Sequence, residues 1–352
     1  GCKNRHHCFC WYKKYNGQFR SIQRTDMAED VTVTRITLPE LFSLWSEYGD
    51  SWKWTNPFVT PPWLKAWWRH FSGESELLLL LALDGKHPLG VAPLMVENGT
   101  VRFIVSADLC DTGVFVAAPG AHDTFSRKIL HFLEEESIHR LTLEQVRPDS
   151  LVYSSFLPAA RAEGWSVSVA RQAASLEMDL PINWEEYLQR LAGKQRHEVR
   201  RKLRRVHDAG LVGLCIARKT AETAEAMDTF LRLFRQSRED KRVFMTELRE
   251  RFFRSLATEL AQFGMLSLCT VTVDDLPGAA VFCVESGKTT YLYNNGYAPQ
   301  FRTISLGMVS KIETIRASIE AGQRVYDFLG GTEKYKYQLG GKEVPLQKCV
   351  IE

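Results

Sequence analysis

The sequence contains no long hydrophobic run. The longest uninterrupted apolar stretch, 77–83, has seven residues, whereas a helix that spans a membrane needs about 20. The chain also does not open with the charged and then apolar pattern of a secretory signal. We therefore expect a cytoplasmic protein without membrane insertion.

The composition is neither low in complexity nor poor in hydrophobic residues. Hydrophobic residues make up 45% and charged residues 25% of the chain, which is the balance of a protein that buries a core. The length of 352 residues predicts two domains at roughly 150 residues per domain. We find no internal period of 20–50 residues, which argues against a solenoid or propeller.

A strong charge of one sign is missing once the first 26 residues are set aside. The formal net charge is +3, but residues 1–26 hold six basic residues and one acidic residue, so residues 27–352 carry −2. Any basic surface on the body of the protein must therefore be local. Residues 1–26 show neither a helical nor an alternating pattern, and we expect them to be a non-native or disordered extension before Met27.

Several catalytic and metal-binding motifs are absent. The patterns G-x-S-x-G, H-E-x-x-H and G-x-x-x-x-G-K-[ST] do not occur, which argues against common hydrolase, zinc-protease and P-loop chemistry. The cysteines of residues 1–26 follow C-x5-C-x-C rather than the paired spacing of a structural zinc site, so no metal is expected. The remaining cysteines lie singly among apolar residues and are predicted to be buried and reduced: Cys110, Cys215, Cys269, Cys283 and Cys349.

Helical and strand patterns alternate from Val31 onward. The first half predicts helices at 39–48, 61–71 and 123–139 and strands at 77–83, 89–96, 101–105 and 140–146. The second half predicts helices at 184–207, 221–238, 246–263 and 305–321, a three-strand meander at 265–294, strands at 324–329 and 344–351, and a short helix or turn at 332–339. We predict an α/β (α+β) fold of two related domains, 27–177 and 178–352, each with a mixed central sheet flanked by helices.

The segment 291–307 carries the first candidate for a binding site. A strand ends there, a turn with Gly and Pro follows, and a helix begins near Ser305. The spacing Arg302-x-x-Ser305-x-Gly307 places a guanidinium and small residues at a helix N-terminus, where free N–H groups suit a pyrophosphate. Alternatively, Ser305 is a simple N-cap and Arg302 a solvated charge.

The segment 325–337 carries the second candidate. Asp327 lies inside an apolar strand that breaks at two glycines, and a buried carboxylate is costly unless it is paired. Asp327 therefore either anchors a neighbour such as Lys336 or Arg302 or acts as a general base. Tyr335 and Tyr337 flank Lys336, where a phenol can donate a proton to a leaving group, although an aromatic residue at a strand end more often only packs.

A basic helix, predicted over 188–207, carries the third candidate. Seven bases lie within fourteen residues opposite an apolar stripe, and Lys194, Arg196 and Arg200 are candidates for an anionic ligand. Such a face can hold phosphates or a nucleic-acid backbone. The alternative is a solvated face that pairs with Glu222, Glu225 and Asp228 of the next helix. Aromatic residues for base stacking are missing from this segment.

These three segments together resemble a known family. From about residue 52 to 352 the chain is similar to the CelD/BcsL-like branch of the GNAT acyltransferase superfamily, and more distantly to the Fem-type peptidyltransferases. The similarity is carried by Gly193-Lys194-Gln195-Arg196-His197-Glu198-Val199-Arg200-Arg201-Lys202, by Tyr291–Gly307, and by Tyr326-Asp327-Phe328-Leu329-Gly330-Gly331-Thr332-Glu333-Lys334-Tyr335-Lys336-Tyr337. The last of these is the most specific match.

The resemblance implies two tandem GNAT-like domains with an acyl-donor site in the second. It implies that acetyl-CoA or another acyl-CoA is the co-substrate, bound by Asn294, Arg302, Ser305, Leu306 and Gly307. Ser305 stands where the family pattern has its first glycine. Asp327, Tyr335, Lys336 and Tyr337 are the implied catalytic candidates, with Asp327 as base and a tyrosine protonating the thiolate. The first domain lacks the motif and is assigned to substrate binding or structural support.

Three classes of function stay open at this point. The first is acyl transfer from acyl-CoA to an amine or hydroxyl of a sugar, a polysaccharide precursor or a related metabolite. The second is Fem-type transfer from aminoacyl-tRNA, which the basic helix favours. The third is a non-catalytic binding protein, which Ser305 favours. The sequence does not define the acceptor or the oligomeric state.

Overall fold

The computed structural model of the chain describes residues 31–104, 109–110 and 112–352. Residues 31–352 form one compact unit. The predictions made for residues 1–26, including the argument about metal spacing, lie outside the described residues. None of the helices in the described segments combines the length and apolar character needed to cross a membrane.

The described residues form a mixed α/β fold. Its strands are β1 Val31–Ile36, β2 Glu76–Asp84, β3 His87–Glu97, β4 Thr100–Phe103, β5 Val116–Ala117, β6 Leu141–Val146, β7 Val167–Asp179, β8 Val212–Ala217, β9 Leu266–Val273, β10 Leu276–Ser286, β11 Thr289–Tyr297, β12 Val325–Gly330 and β13 Lys342–Ile351. Its helices are α1 Leu38–Tyr48, α2 Pro61–Phe71, α3 His122–Glu135, α4 Leu157–Ala162, α5 Trp184–Arg190, α6 Gly193–Ala209, α7 Thr220–Ser237, α8 Glu239–Phe244, α9 Glu247–Gln262, α10 Leu306–Glu320 and α11 Lys334–Gln338. Short helical turns lie at Pro57–Val59, Val152–Phe156 and Pro299–Phe301.

Local sequence accounts for where several helices begin. Thr37 and Glu40 form a capping box before α1, in which the Glu40 carboxylate accepts a hydrogen bond from the Thr37 N–H at 2.7 Å. Asn183 caps α5 by accepting a hydrogen bond from the Glu186 N–H at 2.9 Å. Gly210 follows the last residue of α6, Ala209.

The strands join into one large mixed sheet. Its order is β1-β2-β3-β4-β6-β13-β7-β12-β11-β10-β9-β8, and β5 pairs with β3. The last strand, β13, therefore lies in the middle, between β6 and β7. It pairs antiparallel with β7 over its whole length, from Lys342 opposite Glu177 to Ile351 opposite Val167. The pairs β4–β6 and β11–β12 are parallel.

The sheet has the same strand succession when read from either edge. The first half runs β1, β2, β3, β4, β6 and then β13 and β7, and the second half runs β8, β9, β10, β11, β12 and then β7 and β13. Each half therefore completes its sheet with a strand from the other half. This mixed sheet with flanking helices confirms the predicted fold class. The boundary between residues 177 and 178 stays a prediction, and it falls inside β7.

Helices cover both faces of the sheet. Alternate residues of β2 face opposite sides: Leu79 and Leu81 enter one core, whereas Leu78 and Leu80 enter another. The first core extends across both halves beneath α1, α2, α7 and α9, and Trp63 lies at its centre with its ring 5.1 Å from that of Tyr293. On the opposite face, α5, α6 and α10 cover the second half.

The structure differs from the sequence-based predictions in one helix, one strand and the burial of one cysteine. The basic helix is not continuous, because α5 ends at Arg190 and α6 begins at Gly193. Leu191 between them is buried in extended backbone, so its packing breaks the helix there. The long strand β7 was not predicted, since its first half is mostly polar. Among the five cysteines, Cys215 is exposed on the edge strand β8, whereas the others are buried and all five are free thiols.

Candidate active site

The sheet opens between β11 and β12. These parallel strands pair only from Thr289 opposite Val325 to Tyr291 opposite Asp327, and beyond that point β11 keeps β10 as its neighbour. A β-bulge accompanies the opening, because Phe282 pairs with Asn294 while Cys283 pairs with Leu292. Bulges bend a strand and re-aim its side chains, and they are common beside active sites. We call this gap the sheet opening.

The N-terminus of α10 lies next to the sheet opening, directly after β11 and its turn. Ser305 precedes the helix in a left-handed conformation with φ of 60°. Within the described residues, the N–H groups of Leu306 and Gly307 have no hydrogen-bond partner. A side chain at Gly307 would place its Cβ 2.8 Å from the ring of Tyr297. Free N–H groups beside a glycine, at the positive end of a helix dipole, form a natural site for a phosphate group.

A cavity of about 1080 Å³ lies between α6, α10 and α11. Met308 and Ile312 of α10 line it on one side, and Tyr337 and Leu339 line it on another. Five basic side chains also line it, together with the carboxylate of Glu198: Lys194, His197, Arg201, Lys202 and Lys334. We call it the α6–α10 cavity. Its size, apolar floor and basic rim fit an extended ligand that carries phosphates.

At the corresponding place in the first half, β4 and β6 line a smaller cavity of about 380 Å³ with Arg102, Phe103, Thr142 and Glu144. There, β4 and β6 pair only at Val101 opposite Leu141. The ring of Phe115 packs beside this gap, 5.3 Å from that of Phe103 and 4.8 Å from that of Phe156. Gly113 donates a backbone hydrogen bond to Gln145 of β6. The cavity of the second half is the larger of the two, and the assignment of the first half to substrate binding or structural support stays a prediction.

The residues predicted to bind a cofactor lie together around the start of α10. Asn294 is half-buried on β11, and Arg302 is exposed in the turn before the helix. Ser305 receives a hydrogen bond from Lys202 of α6 at 3.3 Å and makes no side-chain cap. Leu306 is fully buried, so it can offer a ligand only its backbone N–H. Gly307 is the residue at which a side chain would collide with the Tyr297 ring.

Asp327 is buried at the point where β11 and β12 separate. Its Oδ1 accepts hydrogen bonds from the Leu329 N–H at 2.7 Å and from Ser175 Oγ at 3.2 Å. Leu329 has a φ of 59°, so the carboxylate holds the bend that ends the pairing of β12 with β11. The anchors expected from the sequence were Lys336 and Arg302, but the structure gives Lys336 other partners and leaves Arg302 exposed.

The other three catalytic candidates lie on α11. Lys336 is buried, and its ammonium donates hydrogen bonds to the carbonyls of Leu329, Gly330 and Gly331 at the end of β12. The ring of Tyr335 packs against Lys311, and burial raises the pKa of the Tyr335 phenol. Tyr337 lines the α6–α10 cavity, and its hydroxyl donates a hydrogen bond to Glu343 at 3.0 Å. Of the two tyrosines, only Tyr337 is exposed.

The basic face of α6 does not pair with α7, contrary to the alternative considered above. Glu198 of the same helix binds Arg201 at 2.7 Å and Lys202 at 2.9 Å, and these bonds lower its pKa to about 2. Arg200 lies 3.5 Å from Glu185 of α5. Of the predicted anion-binding residues, Lys194 lines the cavity, whereas Arg196 and Arg200 are absent from its lining.

Two lysines at the sheet opening were missed by the sequence analysis. Lys311 of α10 is 6% exposed, and its Nζ donates hydrogen bonds to Asn295 Oδ1 at 3.1 Å and to the Gly307 carbonyl at 2.7 Å. Lys241 of α8 donates to the Asn295 carbonyl at 2.5 Å. Burial and repulsion from Lys241 lower the pKa of Lys311 to about 7, and burial and repulsion from Arg238 lower the pKa of Lys241 to about 8. The sequence did contain one indication of Lys311, because it is the single charged residue in 303–312.

Replacing Lys311 with methionine is expected to stabilise the protein and to flatten its dependence on pH. The unfolded lysine binds a proton below pH 10.5, whereas the folded one does so only below about pH 7, so Lys311 makes stability rise with pH between these values. Lys311→Met should raise the free energy of unfolding at pH 7 by about 1–3 kcal/mol. Urea unfolding at pH 7, 8 and 9 tests this, with the exposed Lys86→Met as control. An unchanged pH slope would contradict the expectation.

Sequence comparison places this site within a known domain. The model of a family described as "Acetyltransferase (GNAT) domain" matches residues 193–337. That segment contains α6, α10, α11 and both strands of the sheet opening. Residues 193–337 are therefore similar to GNAT acetyltransferase domains. No curated protein matches the chain in sequence.

Solved structures share the fold of almost the whole chain. FemX aligns with a TM-score of 0.61 at 13% identity, covering 90% of this chain and 96% of its own. The C-terminal domain of a putative lysylphosphatidylglycerol synthetase from Agrobacterium fabrum aligns with a TM-score of 0.58 at 11% identity, covering 89% and 92%. A conserved protein of unknown function from Bacteroides thetaiotaomicron gives 0.56 at 13% identity, covering 91% and 99%. At such identities these likenesses show a common fold and nothing finer.

Proposed function

We propose that this protein is an acyltransferase that moves an acetyl or other acyl group from coenzyme A to an amine or hydroxyl of a small molecule or glycan precursor. The observation that carries this proposal is a coincidence of three features. The sheet opening, the free N–H groups of Leu306 and Gly307, and the α6–α10 cavity are linked through α10. Met308 of this helix lines the cavity, and its Lys311 binds the Gly307 carbonyl and Asn295 of β11. The N–H groups can bind a pyrophosphate, the cavity an extended arm and the sheet opening a thioester.

The proposed reaction is direct transfer. The acceptor nitrogen or oxygen attacks the thioester carbonyl, and a backbone N–H of the unpaired part of β11 stabilises the oxyanion. The carbon–sulfur bond then breaks and the acceptor loses its proton. Asp327 remains our candidate for the base, in addition to its contact with Leu329. We prefer Tyr337 over Tyr335 as the proton donor to the thiolate, because Tyr337 lines the cavity and is exposed.

The first half would then bind the acceptor or support the second half structurally. We include in this proposal the domain boundary between residues 177 and 178. The CelD/BcsL-like resemblance points to sugars and precursors of cellulose or other exopolysaccharides. A cytoplasmic location fits such precursors.

A second candidate is transfer of an aminoacyl group from charged tRNA. It is favoured by the bases of α6 that have no carboxylate within bonding distance among the described residues, Lys194 and Arg196 among them. A phosphate backbone binds such side chains with a strong dependence on salt. Acyl-CoA binding, in contrast, depends on the start of α10.

Calorimetric titration of the full chain with acetyl-CoA separates these candidates. We expect binding in the wild type and a loss of about tenfold or more in Arg302→Glu, because a carboxylate there repels the pyrophosphate. The matched control is Arg69→Glu, which makes the same charge change at an exposed position of α2. If a folded wild type binds no acetyl-CoA but binds charged tRNA with a steep salt dependence, the second candidate replaces the first. Binding of neither ligand would favour a non-catalytic protein.

A further inference from the structure

Three lysine ammonium groups meet at the sheet opening. Lys241 comes from α8, Lys311 from α10 and Lys336 from α11. We call them the lysine cluster. Lys241 of α8 reaches Asn295 from 54 positions away in the sequence. The cluster therefore exists only because the folded sheet brings these elements together.

Lys241 and Lys311 share one residue as their hydrogen-bond acceptor. Asn295 offers its side-chain Oδ1 to Lys311 at 3.1 Å and to Lys241 at 3.5 Å, and its carbonyl binds Lys241 as well. The ammonium of Lys311 lies 4.9 Å from the ring centre of Tyr335, and that of Lys241 lies 4.9 Å from the ring centre of Phe234. All of these partners are uncharged.

Carboxylates are scarce around the lysine cluster. Glu333 binds Lys336 at 3.0 Å, and its own side chain is 55% exposed. Asp240 lies near Lys241, but Arg238 holds it at 2.8 Å. Within the described residues, neither Lys241 nor Lys311 forms a salt bridge. The interior at this point therefore carries more positive than negative charge.

An excess of buried positive charge is unfavourable unless something compensates it. A structural role would be served equally well by apolar side chains at these positions. The lowered pKa values of Lys241 and Lys311 are the visible cost of this arrangement. An anionic group placed between the two ammonium groups would remove that cost. Lys241 is only half-buried, so the cluster can be approached from the side of α8.

We propose that Lys241 and Lys311 bind a carboxylate of the substrate, carried either by the acyl group or by the acceptor. This inference rests on the proposed acyl transfer, because the sheet opening is where the thioester and the nucleophile meet. It assigns the substrate class: one of the two reactants is an acid as well as an acyl donor or an acyl acceptor. Charge-assisted hydrogen bonds to two ammonium groups select such a reactant over its neutral counterpart.

Calorimetric titration with succinyl-CoA and acetyl-CoA tests whether the carboxylate is carried by the acyl group. If the carboxylate is on the acyl group, the full chain should bind succinyl-CoA about tenfold to a hundredfold more tightly than acetyl-CoA. Lys311→Met and Lys241→Met should each remove most of this preference while acetyl-CoA binding persists. The control Lys86→Met, at an exposed hairpin position, should keep it.

The number of protons taken up on binding distinguishes a lysine that binds the carboxylate from a lysine with a purely structural role. A bound carboxylate raises the pKa of Lys311, so binding at pH 8 should take up as much as one proton. Titration in two buffers with different ionisation enthalpies measures this number, and Lys311→Met should leave only the contribution of Lys241, which is about half a proton at pH 8. Acetyl-CoA should cause no such uptake.

A separate titration tests whether the carboxylate is carried by the acceptor. If both thioesters bind equally, the protein saturated with acetyl-CoA is titrated with glutarate and with the neutral glutaramide. Binding of glutarate alone, with proton uptake and dependence on Lys311, places the carboxylate on the acceptor. Binding of acetyl-CoA with no preference for either acid overturns the inference but leaves the proposed function intact. Failure to bind any thioester overturns the proposed function and with it this inference.

Discussion

Removal of residues 342–352 is expected to unfold the whole of residues 31–352, not the second half alone. These residues contain β13, which lies in the middle of the sheet and pairs with β6 of the first half and with β7. Without it, two sheet edges would be exposed, Cys349 and Ile351 would leave the core of the first half, and the buried Leu346 would be lost as well. Because the strand serves both halves, neither half should retain a cooperative transition.

Circular dichroism and urea unfolding of the truncated chain provide the measurement. Removal of residues 1–30 is the control and should leave the transition of residues 31–352 unchanged, because residues 31–352 form one compact unit. A truncated chain that keeps one cooperative transition of about half the original amplitude would contradict the shared role of β13. It would instead indicate that the first half folds independently.

Substitution of Gly307 with valine is expected to weaken acyl-CoA binding by about a hundredfold or more, through loss of two backbone contacts and steric exclusion. The new Cβ would lie 2.8 Å from the Tyr297 ring and would push into the space beside the N–H groups of Leu306 and Gly307. The pyrophosphate could then no longer approach those groups. Gly307→Ala should have an intermediate effect, because it adds the same Cβ without further branching.

The control for this prediction lies on the same helix. Ala321→Val adds a branched side chain at the exposed C-terminal end of α10 and should leave the affinity unchanged. Calorimetry with acetyl-CoA measures the affinity, and thermal unfolding confirms that each variant is folded. Equal affinity of the wild type and a folded Gly307→Val protein would mean that the donor does not bind at the start of α10.

Features encoded by neighbouring residues were predictable from the sequence. The start of α10 at Leu306, the cap at Asn183 and the end of α6 at Gly210 each depend on residues within one helical turn. The mixed α/β class followed from the alternation of helical and strand patterns. Resemblance supplied the GNAT assignment of the second half, which the family match to residues 193–337 supports.

Features that depend on distant residues were not predictable. The position of β13 between β6 and β7 depends on pairing across the whole chain, and no local pattern encodes it. Lys241 and Lys311 meet only because α8 and α10 pack on opposite sides of Asn295. Asp327 was recognised as a costly buried carboxylate, but its partners, Ser175 and the Leu329 N–H, depend on β7 and on a bend in the strand.

A crystal structure of the full chain with coenzyme A would test the central claim most directly. We predict that the pyrophosphate binds the N–H groups of Leu306 and Gly307, with the pantetheine arm entering the sheet opening between β11 and β12. The thiol should then lie near Asn294 and Asp327. Coenzyme A bound in the first half, between β4 and β6, or held away from α10 would contradict the account.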